Sequence, residues 1–139
     1  MAVTSTPIFP QVVTSTFQQI LPATASALVV LLTPGVNGSR VDNISITSTD
    51  TTDRSVQLYV TSGGTDYLIA TISVPQASGN TNNVYAVAAF QGLAFQGFNY
   101  DPNGNRYIYL SSGSVLKAKS TTTVTAAKVI QFIVQGGDY

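Results

Sequence analysis

Val56, Leu58 and Val60 alternate with Gln57 and Tyr59, and beyond Gly63-Gly64 the period resumes with Leu68, Ala70, Ile72 and Val74. A period of two belongs to a half-buried strand, because successive side chains leave a pleated strand on opposite faces. Two such runs about a Gly-Gly pair predict a β-hairpin, since the favoured two-residue turns need positive φ. Pro75 closes the second run, having no N–H to give a ladder. This stretch commits the chain to antiparallel sheet, whose apolar face must be covered by a second layer.

The remaining sequence extends the pattern. Residues 26–33 read as a short apolar strand ended by the turn PGVNGS. In residues 41–48, Ile44 and Ile46 share one face while Ser45 and Thr47 share the other. Residues 84–90 (VYAVAAF) fit a short helix or a buried strand equally well. Residues 92–100 read as an irregular connection whose aromatics pack across an open end of the sandwich. In the turn DPNGN, Pro102 presets φ and Asn103-Gly104 tolerates positive φ. A second hairpin is predicted from residues 107–111 and 115–120 about Gly113. Residues 124–135 close the domain as its last strand, ahead of a GGDY tail. Roughly seven or eight strands with long crossings predict an all-β fold, an antiparallel β-sandwich of jelly-roll type.

Residues 1–24 stand apart from this pattern, and residues 25–139 form the sandwich domain. Pro7, Pro10 and Pro22 break the first segment, yet it is rich in apolar side chains. It reads either as an irregular first strand or as an extended N-terminal arm that docks on a neighbouring subunit. The candidate interface residues here are Pro7, Ile8, Phe9, Pro10, Val12, Phe17 and Ile20. Phe95, Phe98 and Tyr100 extend the candidate interface.

Composition narrows the function. The chain has no cysteine and no histidine, and Asp supplies all six acids. That removes thiolate and histidine metal ligands, a cysteine nucleophile and a histidine general base. A Ser-Lys dyad would need Lys117, Lys119 or Lys128, all on strands where lysine marks a solvated face. Asp50 and Asp53 share a loop without an opposed acid, unlike a glycosidase pair. Asp101-x-Asn103-x-Asn105 copies the start of a calcium loop, but Arg106 and Ser112 stand where such a loop needs Gly and Glu. The expectation is a protein without catalytic residues, metal or cofactor.

Only 9% of residues are charged and the net charge is zero, against about 25% charged in an average domain. Low charge favours association. The six basic residues are scattered, so no nucleic-acid surface is expected. The longest apolar run, residues 27–32, falls far short of a membrane span. The start MAVTSTPIFPQ lacks the features of a signal peptide, so synthesis without secretion is expected.

Three segments carry a family resemblance: STDTTDRSVQLYVTSGGTDYLIATISVP, DPNGNRYIYLSSGSVLKAK and VIQFIVQGGDY. Together they cover most of residues 41–139 and resemble the small β-sandwich decoration, or cement, proteins of tailed bacteriophages. The resemblance implies a virion protein, made in the bacterial cytoplasm, on the outer capsid surface. It implies that the chain bridges major capsid protein subunits as a dimer or trimer and braces the shell against DNA pressure. No catalytic residue is implied. The alternative is a tail or tail-fibre domain binding a receptor or glycan.

Overall fold

The computed structural model describes residues 10–91 and 97–139. Two antiparallel sheets pack as a sandwich. The strands are β1 (Val12–Ile20), β2 (Val29–Leu32), β3 (Ser39–Ser48), β4 (Arg54–Ser62) and β5 (Thr65–Val74), followed by β6 (Val87–Ala88), β7 (Ile108–Leu110), β8 (Val115–Ser120) and β9 (Ile130–Asp138). The larger sheet runs β1-β9-β3, with β6 and β7 sharing the far side of β3. The smaller runs β2-β8-β4-β5.

The β4–β5 hairpin forms as predicted. Gly63 and Gly64 take φ of 58° and 79°, the two positive values of a type I′ turn. Val56, Leu58, Ala70, Ile72 and Val74 are buried. Leu68 departs from that face and is 52% exposed. A bulge explains it: Leu58 pairs with Ala70 but Tyr59 pairs with Leu68, leaving Ile69 as the extra residue. One inserted residue reverses the facing of everything beyond it, so Ile69 packs against the core instead.

The core lies between the sheets. Ile44 and Ile46 of β3, Ile130, Phe132 and Val134 of β9, and Leu116 and Ala118 of β8 are almost wholly buried. Burying each larger side chain contributes about 1.5–3 kcal/mol.

Four elements differ from expectation. Residues 12–20 form a regular strand, with all nine residues paired to β9 in unbroken register. Pro10 and Pro22 bound this strand and do not interrupt it, so residues 12–20 are a first strand of the sandwich, regular where an irregular one was expected, and Pro22–Thr24 turn as a 3-10 helix after it. The predicted hairpin of residues 107–120 is divided between the layers. Strand β7 pairs with β3 in the larger sheet, and β8 pairs with β2 and β4 in the smaller. The turn at residues 111–114, with Gly113 at φ 84°, carries the chain across the sandwich. The last strand begins at Ile130, after a turn in which Ala127 takes φ 61° and the Lys128 N–H donates to the Thr125 carbonyl. Gly136, Gly137 and Asp138 belong to that strand and are not a tail. Finally, residues 84–90, which fitted a helix or a strand alike, are neither throughout: Val84 bridges Thr81, Val87–Ala88 form β6, and a 3-10 turn follows at Ala89–Gln91, with Ala89 and Phe90 buried.

Candidate docking surface

Strand β1 is the outermost strand of the larger sheet. Its pairing sorts its side chains: Thr16, Gln18 and Ile20 lie opposite the buried Val134, Phe132 and Ile130. Val13, Ser15, Phe17 and Gln19 therefore project from the outer face. Val13 is 90% exposed and Phe17 68%. Val12, at the strand's open end, and Leu21, just past it, are exposed as well. Phe17 and Leu21 form one wall of a groove of about 500 Å³, with Thr47, Gln131 and Ile133 along the sheet face.

The edge itself is unguarded. Natural sheets blunt their edges with charge, proline, bulges or short length. The smaller sheet does so: β2 has four residues with a register shift at Leu31, and β5 is bulged and carries Asp66. By contrast β1 has nine residues, no charge, no proline and no bulge. On its inner side the Thr16 hydroxyl donates to the Leu31 carbonyl at 2.7 Å, fastening β1 to the opposite layer. Among the described residues no strand pairs with its outer edge.

Of the sequence candidates, Val12 and Phe17 are both exposed on β1, but only Phe17 lies on the outer face and lines the groove. Ile20 is wholly buried and is corrected to a core residue: the same alternation that exposes Phe17 turns Ile20 inward. Pro10 is half-buried beside Gly137. Pro7, Ile8, Phe9 and Phe95 lie outside the described residues. Phe98 is half-buried and packs against the core, as expected of an aromatic lying across the end of the sandwich, and Tyr100 is exposed beside the Arg106 guanidinium. Tyr100 bridges Arg106 in the segment leading to β7, whereas β7 and β1 flank opposite sides of the larger sheet. The candidates thus divide between two places. Val13 and Leu21 were missed, although Val13 was legible once Val13, Ser15 and Phe17 are read as one face of a strand.

A second cluster lies at the β7 side. The Arg40 guanidinium sits 4.3 Å from the Tyr107 ring centre, and its Nε donates to Asp42 at 2.6 Å. Tyr107 meets Tyr109 edge-on at 5.0 Å, and Tyr109 lies 6.1 Å from Tyr139. Burial and the neighbouring Tyr109 push the Tyr139 phenol up to about 12.

The carboxylates are occupied structurally. Asp50 is buried and accepts hydrogen bonds from Arg54 Nε (2.8 Å), the Thr125 hydroxyl (2.6 Å) and the Thr125 N–H (3.0 Å). Burial alone would push its carboxyl up, but these bonds outweigh burial and hold it well below the usual carboxylate range. Asp101 accepts the N–H groups of Asn103 and Asn105 at 2.9 and 2.8 Å. That is the side-chain-to-backbone turn its sequence suggests. Among the described residues, no three His, Cys, Asp or Glu side chains gather as a metal site.

No protein-family model matches this chain, and no curated protein matches it significantly.

Proposed function

We propose that this chain is a non-enzymatic structural protein of a virion. In this reading it binds the outer surface of a phage capsid, stabilises contacts between major capsid protein subunits, and acts as a homo-oligomer. The observation that carries the proposal is the surface at β1, where exposed apolar side chains line a groove beside an uncharged sheet edge. Exposed apolar patches and unguarded edges are aggregation hazards for a free protein, but they suit one enclosed by neighbours. The zero net charge and the resemblance of residues 41–139 to decoration proteins support the same reading.

The finer fold reading is a jelly roll. Strands β1-β9-β3-β7 oppose β2-β8-β4-β5, and every link except β4–β5 and β6–β7 changes sheet. Interleaved Greek keys of this kind are found in viral capsid and lectin domains.

The test is to mix the purified protein with undecorated capsids of the phage that encodes it. Saturable binding that raises the capsid's melting temperature is expected. Phe17→Asp, changed on the exposed groove wall, is expected to weaken binding at least tenfold while leaving the circular dichroism unchanged. Absence of capsid binding, with retention on host cell envelope, would overturn the proposal in favour of a tail or tail-fibre domain. The tyrosine cluster about Arg40 favours that second reading, since tyrosine faces beside polar side chains suit sugars.

A further inference from the structure

We propose that two copies of this chain pair through β1, antiparallel to each other about a two-fold axis at Ser15, joining their larger sheets into one. The inference deepens the homo-oligomeric part of the function proposed above. It does not depend on the capsid part, because it concerns the purified chain alone.

Three observations select a second copy as the occupant of this edge. The first is hydrogen-bonding capacity. A nine-residue strand in unbroken register with β9 leaves alternate backbone N–H and C=O groups directed at its outer edge. Antiparallel strand addition satisfies them without rearrangement.

The second is charge. In a two-fold contact every residue faces a residue of the same strand, so a strand bearing one sign of charge would meet that charge again. The segment Gln11–Ile20 carries none, and the whole chain has zero net charge to oppose approach.

The third is register. The two strongly exposed outward side chains are Val13 and Phe17. An axis at Ser15 sets Val13 opposite the partner's Phe17 and Phe17 opposite the partner's Val13. Such aromatic–β-branched pairs are among the favourable cross-strand contacts. The same register opposes Ser15 to its own copy, Thr14 to the partner's Thr16, and Val12 to the partner's Gln18. Moving the axis to Thr14 or Thr16 sets Val13 against serine or glutamine instead, and the apolar pairs are lost. Pro10, which has no N–H, then falls at the limit of the paired segment.

The chain has no cysteine, so single thiols report the register cleanly. Directly opposed residues have Cβ atoms about 4.5–5.5 Å apart, close to disulfide geometry. Ser15→Cys is therefore expected to cross-link rapidly into a dimer under mild oxidation. Gln19→Cys lies about 27 Å from its copy in this register and is expected to stay uncross-linked.

Charge reversal supplies an independent measurement. The doubly substituted V13K/F17K sets lysine against lysine on both sides of the axis and is expected to weaken the dimer tenfold or more in sedimentation equilibrium. V13D/F17K opposes unlike charges in the same geometry and is expected to recover the dimer. All four positions are exposed or at the outer face, and circular dichroism checks that each variant folds. A wild-type chain that remains monomeric to about 1 mM would overturn the proposal, as would equal cross-linking through positions 15 and 19. Cross-linking of Ser15→Cys only after removal of residues 1–9 would also overturn it, showing that the chain's own start covers the edge. Loss of the dimer with capsid binding retained would overturn this inference alone.

Discussion

Asp50→Ala is expected to lower folding stability by about 3–5 kcal/mol, the cost of breaking a buried ion pair from one side. The Asp50 side chain is fully buried and that of Arg54 only 13% exposed, so the substitution leaves a largely buried guanidinium without its charged partner, holding only the Thr122 and Thr125 hydroxyls. It also removes the acceptor for the Thr125 hydroxyl and N–H, and for the Thr52 N–H. Those bonds fasten the loop after β3 to the loop before β9, beside the Val124 side chain, which is itself buried. Urea unfolding monitored by circular dichroism would measure the loss. Removing Arg54 as well is expected to cost less than the two single losses added together, since the pair acts as a unit.

The same carboxylate predicts a pH dependence of definite sign. Its folded pKa lies below the unfolded value of about 3.9, because its hydrogen bonds favour the charged form. The folded state then binds fewer protons than the unfolded state in that range. Its contribution is fully present above about pH 4 and is lost as pH falls below it. Asp50→Asn, which has no charge to lose, is expected to flatten the decline in urea midpoint as pH falls below about 4. An unchanged decline would assign the acid sensitivity elsewhere.

Gly136→Ala is expected to destabilise by about 3 kcal/mol, and Gly136→Val by more. A Cβ at this position would overlap the Arg40 carbonyl oxygen and lie 2.9 Å from its carbon and 3.0 Å from the Val41 Cα. Backbone cannot swing aside as a side chain does. Gly136 pairs with Val41 next to the register shift between Val41 and Asn43, so relief would require separating β3 from β9 in the middle of the larger sheet. Gly97→Ala is the matched control, since its added methyl meets nothing among the described residues within 4 Å. It is expected to change stability by less than about 0.5 kcal/mol. Thermal melts of the two variants would separate a steric requirement from a general effect of losing glycine.

Local chemistry accounts for the features that were legible in the sequence. The β4–β5 hairpin, the Pro75 stop and the Asp101 turn depend on neighbours within a few residues, and each formed where its sequence indicated. The all-β sandwich follows from the same alternation repeated along the chain. In β3, Ile44 and Ile46 turn inward and Ser45 and Thr47 do not, as their order requires.

The departures share a physical cause, which is contact with residues far away in sequence. Residues 107–120 have hairpin spacing, but Ile108 and Leu110 are buried against β3 while Leu116 and Ala118 are buried in the other layer. A four-residue turn serves equally for a hairpin or a change of sheet, so only the distant partners decide between them. Residues 12–20 look broken because their flanking prolines are conspicuous, whereas the ladder that orders them comes from the far end of the chain. That ladder in turn makes a strand of Gly136 and Gly137, which alone resemble a tail. The docking surface depends on both facts. The uncharged, alternating β1 was written in the sequence; its position at an open edge of the sheet was decided by β9, more than a hundred residues away.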